Sequence, residues 1–365
     1  MTVITPQPET PIQSLPSAIT PNAVLRPLVG LSLEALQALM KDLGQPRFRA
    51  EQLHHWLYVK CARDFESMHN LAKGFRDSLA EQFQVGVLKL VTQQTSSDGT
   101  VKYLFECPDG QRIESVLMHF TESGRYSLCV STQVGCAVNC QFCATGQMGF
   151  KRNLTVAEIV DQYLFAQHLS GQEIRNVVFM GQGEPLLNME NLLPAIECLN
   201  TSAEVGMRHI TVSTAGIVPG IDQLATQQWP LVLALSLHAP TDELRQSIMP
   251  ITKRWSIAEL MRAVRAYIGE TGRRVTIEYT LMAGLNDQPE HADGLGALLR
   301  TLKCNINLIP YNPTSSDDRF QRPAMSKMQA FAARLERYGK KVTLRTTRGD
   351  DIAAACGQLA NLNAV

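Results

Sequence analysis

From Leu128 onward, short apolar runs alternate with stretches of helical periodicity, and this alternation constrains the fold more than any other feature of the chain. Strand-like runs lie at 128–134, 176–180, 209–213, 231–237, 275–279 and 304–309, with helix-length segments between them. Strands separated by helices pair in parallel, because each crossover must return across the sheet while its helix covers one face. Six such repeats fall short of the eight that close a full barrel. The expected architecture is therefore α/β, a partial (β/α)6 barrel, with its chemistry at the carboxyl ends of the strands.

What precedes the repeats differs in kind. Residues 1–24 are rich in Pro, Thr, Ser and Gln and nearly uncharged, which reads as a disordered leader. Residues 25–88 read as a helical accessory domain. Ser32 suits an N-cap, Leu33, Leu36, Leu39 and Met40 recur at helical spacing, and Gly44 and Pro46 end the run, with further helices expected at 51–60 and 71–83. Residues 89–124 alternate in polarity around Asp98-Gly99 and Asp109-Gly110, the pattern of a β extension of two or three antiparallel strands. The barrel is expected over 125–348 and a C-terminal loop over 349–365.

Charge excludes some partners and leaves others. With 34 basic and 34 acidic residues no global field attracts a polyanion, so RNA binding would have to be local. The accessory domain offers Arg47, Arg49, Lys60, Arg63, Lys73 and Arg76 among Phe48, His54, His55 and Trp56, either a solvated helical face or a surface for an RNA backbone. No apolar run approaches the ~20 residues of a membrane span. The first basic residue is Arg26, so neither a basic secretory segment nor an Arg-rich transit peptide is expected, and a cytoplasmic location follows.

The strongest chemical signal is Cys136-Ala-Val-Asn-Cys140-Gln-Phe-Cys143. Three thiols on one short segment ask for a metal, and thiolates select zinc or iron-sulfur centres. A structural zinc site closes with four ligands, and a simple electron-transfer cubane uses four cysteines. Here the next cysteine is Cys198, inside an expected helix, so one coordination position is left for substrate chemistry. The same spacing could line one face of a buried helix, although Gly135, Asn139 and Gly146 favour a loop. On the residues alone, an iron-sulfur centre, zinc and simple packing all stay open.

Several strand ends carry small polar or flexible groups. The run at 176–180 leads into Gly181-Gln182-Gly183-Glu184-Pro185, a turn through which a ligand can approach the backbone. Ser213, the run Ser236-Leu237-His238 and Asn312 end other strands, where each alone serves equally well as a cap or a satisfied core polar group. Near the end stands Arg348-Gly-Asp-Asp-Ile-Ala-Ala-Ala-Cys356-Gly-Gln-Leu359, whose cysteine could be an incidental thiol. Cys61, Cys107, Cys198 and Cys304 fit no motif and read as structural.

The C-x-x-x-C-x-Phe-C spacing resembles that of the radical S-adenosylmethionine superfamily. In that superfamily three cysteines hold a [4Fe-4S] cluster whose fourth iron chelates S-adenosylmethionine, and one-electron cleavage of the cofactor releases a 5'-deoxyadenosyl radical. The resemblance implies Cys136, Cys140 and Cys143 as cluster ligands, with Phe142 packed on the adenine. Gly183 and Glu184 fall in a G-x-G-E-P motif that binds the cofactor's amino group, with Gln182 standing where methionine is more usual. Ser213, Ser236, Leu237, His238 and Asn312 would hold its ribose, carboxylate and adenine edge.

The C-terminal string, together with Leu128-Cys129-Val130-Ser131, resembles the RlmN/Cfr family of RNA adenine methyltransferases over about residues 28–360. The C2 carbon of adenine is electron-poor and does not attack a methyl sulfonium, so a relay is required. The resemblance makes Cys356 the methyl carrier, Cys129 the thiol that resolves the RNA adduct through a transient disulfide, and Glu114 a proton acceptor. Two S-adenosylmethionine molecules would be used per turnover, with a flavodoxin- or ferredoxin-like electron donor. The implied substrates are an adenosine of 23S rRNA and an anticodon-adjacent adenosine of tRNA, held outside a stack. Backbone contacts would come from the helical bundle and from Lys340, Lys341, Arg345 and Arg348, on a chain working as a monomer. Few residues follow Cys356, so a basic tail present in some relatives is not expected. Methylation at C8, and a non-catalytic iron-sulfur protein that binds RNA, are the competing functions.

Overall fold

The computed structural model describes residues 25–314 and 319–360, so the expected leader and the last residues of the C-terminal loop lie outside the described residues. The accessory segment forms α1 (Leu33–Asp42), α2 (Phe48–His54), which runs on as a π turn over His55–Val59, and α3 (Lys73–Ala80). Ser32 caps α1 by accepting from the Ala35 amide at 3.2 Å, and Leu36, Leu39 and Met40 bury the apolar stripe. Before α1, Arg26–Pro27 pairs in parallel with Phe83–Gln84 and closes the bundle.

One ten-stranded sheet carries the rest, and its spatial order is its chain order. The strands are β1 (Lys89–Thr95), β2 (Val101–Glu106), β3 (Arg112–Phe120), β4 (Arg125–Cys129), β5 (Ile174–Phe179), β6 (Ile210–Thr214), β7 (Val232–Ser236), β8 (Val275–Leu281), β9 (Cys304–Pro310) and β10 (Lys341–Leu344). β1 to β4 pair antiparallel, and β4 to β10 pair in parallel. The β extension is thus continuous with the barrel sheet. Its turns rest on Gly99 and Gly110, both at positive φ. The short α4 (Ala144–Gln147) follows the cysteine segment, and α5 (Val156–Ser170), α6 (Met189–Thr201), α7 (Val218–Thr226), α8 (Asp242–Ile248), α9 (Ile257–Thr271), α10 (Pro289–Leu299) and α11 (Met325–Glu336) fill the crossovers. Val177, Val212, Leu233, Ile277 and Ile306 are fully buried, as a parallel sheet requires.

The partial barrel expected from the alternation is present, with seven parallel strands where six were expected. The seventh, β10, is four residues long and alternates exposed and half-buried positions, so it leaves no apolar run to detect. The expected strand at 128–134 is two strands. β4 ends at Cys129, and Gln133–Gly135 pairs instead with Phe150–Asn153. Between them, Gln162 Oε1 takes the Ser131 amide at 2.7 Å and Ser131 Oγ donates to the Glu114 carbonyl at 2.7 Å, which draws the chain out of the ladder.

Several cations counted as RNA contacts are committed elsewhere. Arg63 pairs with the fully buried Asp161 of α5 and lies 3.9 Å from the centre of the Phe165 ring. Val87 and Leu88 amides donate to the same carboxylate at 2.7 and 2.8 Å, so this cluster fastens the bundle to the barrel. Arg76 donates to the Phe65 and Glu66 carbonyls, and Lys340 to those of Arg300 and Leu302. Arg47, Lys60, Lys73 and the half-exposed Phe48 remain on the surface. Among the described residues no helix is long and apolar enough to cross a membrane.

Candidate active site

At the carboxyl ends of the parallel strands lies a cavity of about 740 Å³. Cys136, Cys140 and Cys143 line it from one side, on the segment between the Gln133–Gly135 hairpin and α4. This segment is held tightly. The Cys136 amide donates to Gly149 O at 3.0 Å, and the Gln141 amide to Ile248 O at 2.9 Å. Gly135, at φ +72°, sits so close to the Gly149 carbonyl that no side chain fits there.

The donor set fits the iron-sulfur group that the sequence implies. Burial pushes the three thiols up, Cys136 to about 12 and Cys140 well above its ordinary range, so the free thiols are neutral and only a metal would hold them as thiolates. Among the described residues no three His, Cys, Asp or Glu side chains converge on a single metal ion.

Opposite the cysteines, the turn after β5 supplies Gly183 and Glu184. Gly183 has φ +98°, and a Cβ there would stand 2.5 Å from the Gln133 side chain. Glu184 is buried, its two carboxylate oxygens accepting from the Leu186 amide at 3.1 Å and the Ala215 amide at 2.7 Å. Burial nevertheless raises it to about 7. Gln182 is wholly buried and accepts from the Glu114 amide at 3.4 Å, a bond that methionine would not offer.

Ser213 and Ser236 face one another at 3.5 Å between their hydroxyls. His238 adopts φ +61°, and its Nδ1 accepts from the Thr280 amide at 2.9 Å. Burial, with Arg245 behind it, lowers His238 to about 3, so it is a neutral ring. Phe142 meets it edge-on at 4.9 Å. Leu237, expected at the cofactor, is fully buried and does not line the cavity: its amide donates to Glu278 O at 3.0 Å and its carbonyl accepts from Arg245 Nε at 3.1 Å.

Cys356 is exposed to the cavity, and the half-buried Cys129, at the end of β4, lines the same space. Burial first, then the neighbouring Cys356, raise the Cys129 thiol. The loop bearing Cys356 is strapped down: Ala144 N donates to Gly357 O at 2.7 Å, Thr145 Oγ1 to Leu359 O at 2.6 Å, and Asn312 Nδ2 to Cys356 O at 3.1 Å. From the β1–β2 hairpin, Ser96 Oγ donates to Asp351 at 2.6 Å and Lys102 Nζ to Ala353 O at 3.3 Å.

The structure thus gathers the cysteine triad, Phe142, Gly183, Glu184, Ser213, Ser236, His238, Asn312, Cys129 and Cys356 around one space. Glu114 is not among the lining residues. It is buried behind the wall, where its carboxylate meets Lys102 at 3.2 Å and accepts from the Ala360 amide at 2.9 Å, a tie on the C-terminal loop. Arg348 lies over Phe120 and donates to His119 O. Cys61, Cys107, Cys198 and Cys304 are buried elsewhere.

Among the charged residues that escaped the reading of the sequence are Glu278 and Arg245. Glu278 lines the cavity from β8, accepts from Asn307 Nδ2 at 2.9 Å and is raised to about 7 by burial. Its signal was a lone acid inside an otherwise apolar strand. Arg245, in α8, is wholly buried beneath the site, and nothing in its local sequence marks it.

Comparison with known proteins shows the family. Residues 130–294 match the model of the radical SAM superfamily, and residues 27–85 that of the ribosomal RNA large subunit methyltransferase N-terminal domain. The chain is 47% identical over 341 residues to the probable dual-specificity RNA methyltransferase RlmN of Symbiobacterium thermophilum, covering 92% of this chain and 91% of that protein. It is 44% identical over 342 residues to the dual-specificity RNA methyltransferase RlmN of Marinobacter nauticus, with 91% and 92% covered. A crystal structure of a radical SAM methyltransferase from Sphaerobacter thermophilus superposes with a TM-score of 0.89 at 45% identity, covering 92% of this chain and 99% of that one. The chain therefore belongs to the RlmN family of radical SAM RNA methyltransferases, enzymes that use a [4Fe-4S] cluster and S-adenosylmethionine.

Proposed function

We propose that this methyltransferase acts on the C2 carbon of an adenosine in 23S rRNA and of an anticodon-adjacent adenosine in tRNA, with Cys356 as methyl carrier and Cys129 as resolving thiol. The observation that carries the reading is the sharing of one cavity by Cys129, Cys356 and the cysteine triad. Curated relatives are named dual-specificity RNA methyltransferases, which supports action on more than one RNA, and the matched N-terminal domain is described as that of a ribosomal RNA large subunit methyltransferase. A flavodoxin- or ferredoxin-like donor, action as a monomer and a cytoplasmic location belong to the same proposal.

Cys136, Cys140 and Cys143 hold the cluster, which with S-adenosylmethionine supplies the electron transfer and hydrogen abstraction that activate a methyl group. Glu184 takes the cofactor's ammonium, and a cation there draws its raised carboxyl back to the ionised state. Ser213, Ser236 and the neutral His238 bound the cofactor's pocket, and Phe142 offers an apolar face. Cys356 loses its thiol proton and accepts the first methyl as a thioether, with S-adenosylhomocysteine as the leaving group, and carries that methyl to the adenine. Cys129, as its thiolate, then attacks the sulfur of the Cys356–RNA thioether; the S–S bond forms as the S–CH2 bond breaks, and the released carbon takes a proton to become the methyl group of the base. Asn312 links the two halves of the site, because its amide holds the Cys356 carbonyl while its oxygen accepts from Arg322 at 2.9 Å.

Two variants test this. Cys356→Ala is expected to abolish RNA methylation without any covalent RNA adduct. Cys129→Ala is expected to accumulate protein linked to RNA, visible as a nuclease-sensitive shift on a denaturing gel. Wild-type product from Cys356→Ala would refute the carrier role.

A further inference from the structure

Arg245 is fully buried in α8, and all four of its hydrogen-bond acceptors are uncharged. Nε donates to Leu237 O at 3.1 Å, one terminal nitrogen to Thr252 Oγ1 at 2.9 Å, and the other to Ser236 O at 3.1 Å and Ala215 O at 2.5 Å. Buried guanidinium groups are ordinarily paired with carboxylates, because an uncompensated charge in a dry interior is costly. Three of these acceptors lie at the carboxyl ends of β6 and β7, where the Ser213, Ser236 and His238 side chains face the cavity. The last residue of α8, Ile248, accepts the Gln141 amide beside Cys140. One side chain and its helix therefore join the cofactor-facing strand ends to the cysteine loop.

We propose that Arg245 is the built-in countercharge of the iron-sulfur site, a positioning residue whose fixed positive charge favours the thiolate-bound cluster and its reduced state. A cluster held by three thiolates brings negative charge into this space, and reduction adds more, so a cation fixed behind Cys140 favours both. The neighbours whose fields act on Arg245 agree, since Cys140, Asp242 and Glu184 are the groups that strengthen its hold on its proton. Burial lowers it only to about 10, so it stays charged at neutral pH. A purely structural staple for three carbonyls would need donors but no charge. The inference rests on the cluster being held by Cys136, Cys140 and Cys143.

The test compares wild type, Arg245→Lys and Arg245→Met after anaerobic loading with ferrous iron and sulfide. The readouts are iron per chain and an EPR-monitored redox titration. For Arg245→Met we expect either loss of cluster from a chain still folded by circular dichroism, or a tenfold shift of the reduction equilibrium toward the oxidised cluster, about 59 mV more negative. Arg245→Lys keeps the charge without the planar fork, and is expected within about threefold of wild type. A folded Arg245→Met with wild-type iron and potential overturns the proposal. Should that variant not fold, a tenfold shift in Arg245→Lys overturns it, and a wild-type potential there supports it. Failure of wild type itself to load iron would refute the cysteine assignment instead.

Discussion

Glu184 is expected to cost the free protein stability, and replacing it with glutamine exposes that cost. Its carboxyl is raised from 4.5 to about 7, chiefly by burial. A group whose folded pKa is raised contributes stability that is fully present below the unfolded value and is lost as pH rises through the folded one. At about 1.36 kcal/mol per unit, the loss between pH 4.5 and 8 amounts to about 3 kcal/mol. Glu184→Gln removes the titration, but turns an amide N–H toward one of the two backbone amides that the carboxylate accepts, at a cost of about 1 kcal/mol. The variant should therefore be about 1 kcal/mol less stable than wild type at pH 4.5 and about 2 kcal/mol more stable at pH 8. Glu278, also raised to about 7, tilts both proteins in the same sense, and His238, lowered to about 3, tilts both the opposite way as pH falls below 6.5. Both cancel in the difference. Urea denaturation of the cofactor-free proteins at several pH values measures it. A stability difference that stays flat across that range would refute the reasoning.

Other perturbations follow from the same contacts. Arg63→Met strands the fully buried Asp161; the two backbone amides soften the loss to the lower end of the usual 3–5 kcal/mol for breaking a buried pair, read as a drop in the urea midpoint. Lys102→Met removes a buried ammonium from both Glu114 and the Ala353 carbonyl, so the Cys356 loop should open more often and iodoacetamide should alkylate Cys356 at least about tenfold faster, by peptide mass spectrometry. Gly183→Ala forces a methyl against Gln133 at φ +98° and is expected to weaken S-adenosylmethionine binding at least about tenfold in equilibrium dialysis, with the fold kept.

The site was more legible in the sequence than the route by which the chain supports it. The cysteine triad, Gly183-Glu184 and the strand-end polar groups are local patterns, and local patterns survive reading one residue at a time. The tie between Glu114, Lys102 and Ala360 joins positions far apart in the chain, so spacing could not reveal it. Arg63 looked like a surface cation because it stands in a basic stretch, whereas its partner Asp161 lies on a helix of the barrel. β10 went unseen for the opposite reason: it is a short edge strand, with too few buried positions to imprint a pattern. Arg245 shows the limit most clearly, since its meaning lies in three carbonyls brought together only by the fold.

C2 of adenine is the carbon on which this cavity is proposed to place a methyl group. Ribosomal RNA and tRNA from cells lacking any other such enzyme, treated anaerobically with the iron-loaded protein, S-adenosylmethionine and a reductant, can be digested to nucleosides and analysed by mass spectrometry. The expected product is 2-methyladenosine from both RNAs, dependent on Cys356. Finding 8-methyladenosine alone, or no methylated adenosine from an iron-loaded protein, would contradict the proposal.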